Sequence, residues 1–369
     1  MRVVVAASGL LAGCLAAPPA STGGTDDGAR YRRRISIAAG TVDAPLTDFP
    51  VVVRLAGDEA VRAHAREDGL DLVFRDGAGE LLAFERASWD PEVGDLLAWV
   101  KVPQVAVDAA TDVYLHYGDQ DAEDLSDPPA VWSNGFAAVW HLDEFVDEIV
   151  DSTANAVDVL AAEGDPASIE GYIGRALELD GGSDFVSFGS AVPPEIDSGS
   201  ALTATAWARY DQLGQWSHFV SKARTDSNSF GWALGIDSGY DFLVRTMNGD
   251  VNARGWSEVA RPTTAVWYHW AMVFDGSQSD DAGRLRGFRD GVEHALVYDG
   301  PIPSSFDARG GPLYIGCASW NPTAYCIDGA VDEVRVATVA RSPAWLAAEH
   351  ANQKEGSTFL AVGPEEILE

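Results

Sequence analysis

The chain reads as an all-β protein of two antiparallel β-sandwiches with a short C-terminal helix. Three observations carry that reading. At 369 residues it is too long for one typical domain and suits two. Short runs rich in Val, Ile, Tyr, Phe and Trp alternate with Gly, Pro and Asp turns from Tyr31 onward, the spacing of an antiparallel sandwich. Helical signals are confined to Asp58–Ala65 and to the stretch after Ser342. A hydrophobic fraction of 46% supports packed cores, and a formal net charge of −32 argues against nucleic acid or an anionic membrane surface as partner. The same acidity is compatible with divalent cations, or serves solubility alone.

Met1–Gly13 reads as a secretory signal, with Arg2 as its charged end and an apolar run from Val3 to Ala12. That run is too short to span a bilayer, which takes about twenty residues. Leu11-Ala12-Gly13-Cys14 resembles the bacterial lipoprotein box, which implies a signal over 1–14 and lipidation at Cys14; an ordinary cleaved signal that happens to contain a cysteine is the alternative. Residues 15–29 are rich in Ala, Pro, Ser, Thr, Gly and Asp and read as a flexible tether. The expectation is an exported, membrane-anchored lipoprotein at the outer membrane or cell surface.

The first unit, 30–120, contains the runs Tyr31–Ile37, Phe49–Leu55, Leu70–Phe74, Leu96–Val102 and Thr111–Tyr117. With Asp68-Gly69-Leu70-Asp71, Trp99-Val100-Lys101-Val102-Pro103 and Tyr114-Leu115-His116-Tyr117-Gly118-Asp119, this layout resembles a bacterial domain of unknown function, the DUF2341 type, which commonly precedes laminin-G-like modules in surface proteins. The resemblance names no activity. Asp119–Pro129 is an acidic linker, and the second unit is placed at 130–340.

That unit is organised around Gly174–Phe188. Ala176, Leu177 and Leu179 lead into the Gly181-Gly182 corner, and Phe185, Val186 and Phe188 lead out, so the stretch reads as strand, tight turn, strand. Five further blocks stand in order: Trp140–Glu144, Asp151–Asn155, Leu202–Trp207, Trp267–Gly276 and Ile327–Val336. Together they resemble the laminin-G-like, concanavalin A-like jelly-roll domains of bacteria. The resemblance implies a jelly-roll sandwich, with one calcium ion held at its rim between the opening hairpin and the closing strand. Carried over by motif, the calcium ligands are Asp180 with Asp332 and Glu333, and Asp143 or Asp184. Calcium takes six to eight oxygens, so two or three carboxylates with carbonyls and water suffice. The competing reading is that these acids cap turns and accept backbone hydrogen bonds. No EF-hand is present, because Ala156 and Ala162 replace the Gly and Glu that the spacing from Asp151 requires.

After Cys14, only Cys317 and Cys326 remain, at the ends of two strand-like runs around an Asn-Pro turn, and a disulfide in an oxidising compartment is expected. Such a loop is stabilised by roughly 2–3 kcal/mol on a chain-entropy estimate. Free thiols or a metal pair are the alternatives, although no His or third Cys lies nearby in sequence. The last segment, 341–369, is read as a helix and tail, with Ser342 as N-cap, Pro343 at the first helical position, and Trp345 and Leu346 docking on the sandwich.

Catalysis finds little support in the residues, and no catalytic residue is nominated. A glycosidase needs two carboxylates facing each other across a cleft. Asp143/Glu144 and Asp332/Glu333 are adjacent pairs, and neighbours on a strand point to opposite faces. The alternating carboxylates of concanavalin A-like glycosidases are absent, as is a Gly-x-Ser-x-Gly elbow. His269 sits where the resembled family places a structural strand histidine. Binding remains. Trp216, Tyr240, Trp256, Trp320 and Tyr325 lie in turn-rich stretches where they can stack on sugar rings, whereas Trp207 and Trp270 lie in apolar strands and read as core. The expected function is calcium-assisted, non-catalytic recognition of a glycan or protein at the cell surface. The rivals are a spacer protein with no specific ligand and a degenerate hydrolase. Loop aromatics clustered on one face favour binding, and aromatics all buried favour the spacer.

Overall fold

A computed structural model describes residues 28–144, 146, 148–213, 216–224, 230–237, 242–248, 251–319, 321 and 325–368, with the backbone alone at 230, 242–248 and 251–252. Cys14 with its signal and tether, Tyr240 and Trp320 lie outside the described residues.

The N-terminal sandwich packs a three-stranded sheet, in the order Leu46–Leu55, Asp95–Val105, Phe84–Asp90, on a four-stranded one. Its core holds Ile35, Phe49, Val51, Val53, Phe74, Phe84, Val100 and Leu115, each all but inaccessible to solvent. Burying such side chains contributes roughly 1.5–3 kcal/mol each, and this, rather than strand propensity, holds the unit together. The helix expected at Asp58–Ala65 forms as Glu59–His64, with the Asp58 carboxylate accepting from Val61 N at 3.1 Å.

The four-stranded sheet runs Ala361–Ile367, Tyr31–Ile37, Thr111–Tyr117, Val73–Asp76. Its outer strand therefore comes from the far end of the chain, with Tyr31 opposite Ile367 and Ser36 opposite Ala361. The sequence reading ended the first unit at 120 and left 341–369 as helix and tail; the structure returns the last strand to the first sheet and makes the jelly roll an insertion. The signal for such a strand is weak, because Ala361–Ile367 contains Gly363 and Pro364, and Pro is tolerated only where its missing N–H faces away from the ladder.

The second unit is a jelly roll of two eight-stranded sheets. The rear sheet includes Trp267–Asp275, Ala201–Tyr210, Asp328–Ala337 and Arg175–Asp180, with Phe136–Trp140 pairing beside it. The front sheet includes Val251–Ser257, Phe242–Asn248, Phe230–Ile236, Ser217–Ala223, Leu313–Ile315 and Phe185–Gly189. Between them lie Trp140, Leu177, Leu179, Phe188, Phe219, Trp232, Trp270, Met272 and Val334. Trp270 is thus core, as its apolar strand implied. Trp207 is equally buried but faces the other way: it stacks on Tyr172 at 3.7 Å and donates from Nε1 to Gln353 Oε1 at 2.6 Å.

The rear sheet's outer side is covered. Period-two alternation sends Leu96, Ala98 and Val100 into the first sandwich and Leu97 and Trp99 out of it, to meet Trp132, Val139 and Ile173. The C-terminal helix Pro343–Gln353 completes the cover. Ser342 Oγ accepts from Trp345 N at 3.2 Å, and Trp345 meets Phe49 edge-on at 4.8 Å. Asn352 takes the place of a neighbouring strand at the edge of Leu46–Leu55, accepting from Val52 N at 2.7 Å and donating to Val52 O at 3.2 Å.

Candidate functional site

The first sandwich and the C-terminal helix cover the rear sheet and leave the front sheet's outer side to other segments: Ser217–Ala223 and residues 231–236 are buried on both sides there, and the loop 316–319 crosses Ser221 and Ala233. Three of the five sequence-nominated aromatics gather there. In Val251–Ser257, Ala253 faces the core, so Arg254 and Trp256 share the outward side. Trp216 enters the neighbouring region just before Ser217–Ala223, and Tyr325 leaves the loop before Asp328–Ala337. Trp216 and Tyr325 meet edge to face with centroids 6.2 Å apart. The Arg254 guanidinium lies 5.4 Å from the Trp216 ring and 5.2 Å from the Trp256 ring, and Asp299 pairs with it at 3.1 Å. All three aromatics are half-buried, so each is anchored on one side and keeps surface open on the other. Sequence reasoning missed Arg254 and Asp299. The Arg-x-Trp spacing on one strand was the available signal, since residues two apart share a face.

The acids implied as calcium ligands fall into two places. Asp180 and Asp184 lie at the hairpin corner, in an open groove of about 280 Å³ with Asp165, Glu178, Asp211 and Asp328. Asp180 Oδ1 accepts from Gly182 N at 2.8 Å, Ser183 N at 3.1 Å and Asp184 N at 3.3 Å, and these backbone donors, Gly182 first, hold its carboxyl below the usual range. Asp184 accepts from Asp165 N at 2.9 Å and Asp180 N at 3.2 Å. Asp328 is raised by burial and by the charges of Asp211 and Asp180.

Asp143, Asp332 and Glu333 stand elsewhere, between the two units. Asp332 Oδ2 accepts from Tyr172 N at 2.7 Å and Ile173 N at 2.8 Å, and burial beside Glu333 holds it well above the usual carboxylate range. Asp143 accepts from Arg175 N at 2.5 Å and is pushed up to about 7, chiefly by burial. The five acids therefore do not converge. Among the described residues, no three His, Cys, Asp or Glu side chains are grouped to hold a metal ion. As placed, the set does not fit one calcium ion, and turn capping accounts for Asp180 and Asp184.

The structure also corrects the strand argument about Asp332 and Glu333. Thr205 faces Arg335 but Trp207 faces Asp332, so the closing strand carries a bulge, with Glu333 at φ +51°. Val331 and Val334 stay in the core, and the bulge turns both carboxylates to the outer side. They face no cleft: both are buried under the first sandwich. His141 Nδ1 lies 2.8 Å from Glu333 Oε1 and its Nε2 lies 3.2 Å from Glu85 Oε2 of the first sandwich. Burial pushes this imidazole down, but Glu333 and Glu85 outweigh it and hold the pKa well above the usual histidine range. Arg335 joins Glu333 at 2.5 Å to Glu349 at 3.1 Å, while His269 lies 3.7 Å from Glu349. Two more motif residues also prove structural: Asp151 accepts from Val139 N, Thr153 N and Val157 N, and Cys317 is disulfide-bonded to Cys326.

Family models match the chain in the order of the two units. A family model described as the concanavalin A-like lectin/glucanases superfamily matches residues 180–347, and one described as a domain of unknown function, DUF2341, matches residues 68–157. No curated protein matches the chain. Among solved structures, domain 4 of AbnA, an extracellular GH43 arabinanase from Geobacillus stearothermophilus in complex with arabinotriose, is 17% identical, with 57% of this chain and 96% of that one covered and a TM-score of 0.41. The CBM40 of Ruminococcus gnavus IT-sialidase bound to α2,3-sialyllactose is 16% identical, with 47% and 95% covered and a TM-score of 0.40. The binding domain of Paraclostridial Mosquitocidal Protein 1 is 11% identical, with 60% and 52% covered and a TM-score of 0.43.

Proposed function

We propose, for a chain that carries a DUF2341 segment followed by a concanavalin A-like one, that it is a non-catalytic glycan-binding protein whose ligand lies on the front sheet's outer side. The observation that carries this reading is the pair of indoles, Trp216 and Trp256, that Arg254 bridges, with Tyr325 set against Trp216, on a side the other unit does not cover. Half-buried indoles offer rigid apolar surface for the C–H face of a sugar ring at small entropic cost, and the polar atoms of Arg254 and Asp299 suit hydroxyl groups. A spacer would have no need to hold these rings half open.

Calcium is proposed only for the separate groove at Asp180, Asp184 and Asp328, where burial and then the charges of Asp211 and Asp180 raise Asp328; no part of glycan recognition passes through it. Export and anchoring through Cys14 belong to the same proposal. Among the described residues, no helix is long and apolar enough to cross a membrane. The Leu11-Ala12-Gly13-Cys14 box is what supports a lipid on Cys14 as the proposed attachment. Metabolic labelling with a fatty-acid analogue checks this: label on the wild type and none on Cys14→Ala is the expected pair.

The central test is affinity electrophoresis through gels containing soluble polysaccharides, arabinan, xylan and β-glucan among them. Retardation that Trp256→Ala and Trp216→Ala abolish supports the reading. Retardation untouched by either substitution places the ligand elsewhere, and no retardation in a wide panel favours the spacer.

A further inference from the structure

The Cys317–Cys326 crosslink lies apart from the jelly-roll core. Its two cysteines form a small cluster with Phe185 and Tyr314, and both are sealed from solvent. That cluster sits between the two features described above. On one side, Cys317 Sγ lies 3.3 Å from Asp184 O at the hairpin corner. On the other, Tyr325 immediately precedes Cys326 and carries its ring to Trp216.

Tyr325 occupies the left-handed region, at φ +61°, which a bulky side chain adopts only where its surroundings enforce it. Tyr325 O accepts from His218 N at 3.2 Å, and Ile327 N donates to Gly316 O at 2.9 Å, closing the loop beside the crosslink. The other arm is held at Ser221, whose Oγ donates to Cys317 O at 2.9 Å and accepts from Ser319 N at 2.9 Å.

We propose that the Cys317–Cys326 disulfide is the positioning device of the aromatic face: it holds Tyr325 in its left-handed conformation and against Trp216. The inference rests on the glycan-binding reading for its purpose, though not for its geometry. The crosslink anchors Tyr325 from its C-terminal neighbour, and it acts together with the hydrogen bond from His218 and the packing of the ring against Ala233, Ala318 and Trp216. The cysteines are positioning residues and touch no ligand.

The test uses the full chain with Cys317→Ser and Cys326→Ser together, and separately Tyr325→Ala, which keeps the crosslink and removes the ring. Hydrogen exchange is read at the amides of His218 and Ile327, with the polysaccharide gels as second readout. The expected result is at least tenfold faster exchange at those two amides in the double variant, unchanged protection in Ala201–Tyr210 and Trp267–Asp275, and loss of gel retardation matching Tyr325→Ala. Unchanged exchange at His218 and Ile327 overturns the proposal, and so does a general loss of protection across the jelly roll, which makes the disulfide a global staple. If the wild type is retarded by no polysaccharide, the glycan-binding reading fails, while the exchange result still decides the positioning role.

Discussion

Two arginines in this protein have nearly the same neighbours and opposite fates. Arg254 lies within 5.4 Å of two indoles, Trp216 and Trp256, with Asp299 as its acid. Arg335 lies within 4.8 Å of two indoles, Trp99 and Trp132, with Glu333 and Glu349 as its acids. Arg254 keeps 29% of its side chain exposed and Arg335 keeps 2%. Side-chain chemistry therefore does not separate recognition from architecture here. The first sandwich, which closes over one cluster and leaves the other open, does.

The comparison is broken most severely from the C-terminus. Deleting residues 354–369 strips the outer strand from the four-stranded sheet and bares the ladder of Tyr31–Ile37. The truncated protein is expected to lose the cooperative unfolding transition of the N-terminal sandwich in calorimetry, while a chain lacking only residues 1–27 keeps it. A two-transition melt with both transitions retained would show that the returning strand is dispensable.

Next come the two arginines. Arg335→Ala takes from buried Glu333 and Glu349 the guanidinium they share and leaves them only His141 and His269, a loss of roughly 3–5 kcal/mol. Arg254→Ala removes a half-exposed pair and should cost less than about 1 kcal/mol. Denaturant unfolding of both variants measures the gap, and equal losses would refute the distinction drawn here.

Proton linkage sharpens the contrast further. Asp143 between the units is raised to about 7 from an ordinary 3.8, so the folded state holds a proton that the unfolded state releases near pH 4. Stability is thus expected to fall as pH rises from about 4 to 7, and Asp143→Asn should flatten that slope. Glu349 has the opposite sign. Burial alone would raise it, but its bond with His269 and the charge of Arg335 bring it down to about 2, so the stability it adds is lost as pH falls from 4.5 toward 2. Midpoints of denaturant unfolding between pH 3 and 8 test both slopes.

The smallest effect expected is that of calcium on the acidic groove. Asp328→Asn relieves the repulsion there without touching the turn that Asp180 caps. If calcium raises the melting temperature relative to EDTA and Asp328→Asn removes that rise, the groove is the site. A rise that survives the substitution locates the ion elsewhere.

Much of this molecule is legible locally. The caps at Asp58 and Ser342 are stated by a side-chain oxygen, and by a proline after Ser342, within one turn of chain. The Gly181-Gly182 corner is stated by the residues that make it, and the Cys317–Cys326 pair is stated by elimination among three cysteines. The outward pairing of Arg254 with Trp256 follows from period two. The bulge at Glu333 does not follow, because a non-glycine residue in the left-handed region leaves no mark in composition. Register separates the acids: Asp328 stands opposite Asp180, and Asp332 and Glu333 follow further along the strand, away from the hairpin corner.

Apart from the last strand and the bulge at Glu333, the sequence by itself determined where strands and turns fall and which alternate residues share a face, because those properties depend on neighbours a few residues apart. Only the tertiary structure decided which outer faces stay open. Residues 361–367 return to pair with residues 31–37, and the first sandwich folds down over the rear sheet. The strand pairing spans more than three hundred residues of chain and the packing of the sandwich on the sheet joins residues far apart in sequence, where local periodicity carries no information, and together they decide that His141, Asp332 and Glu333 belong to architecture while Trp216, Trp256 and Tyr325 stay half exposed.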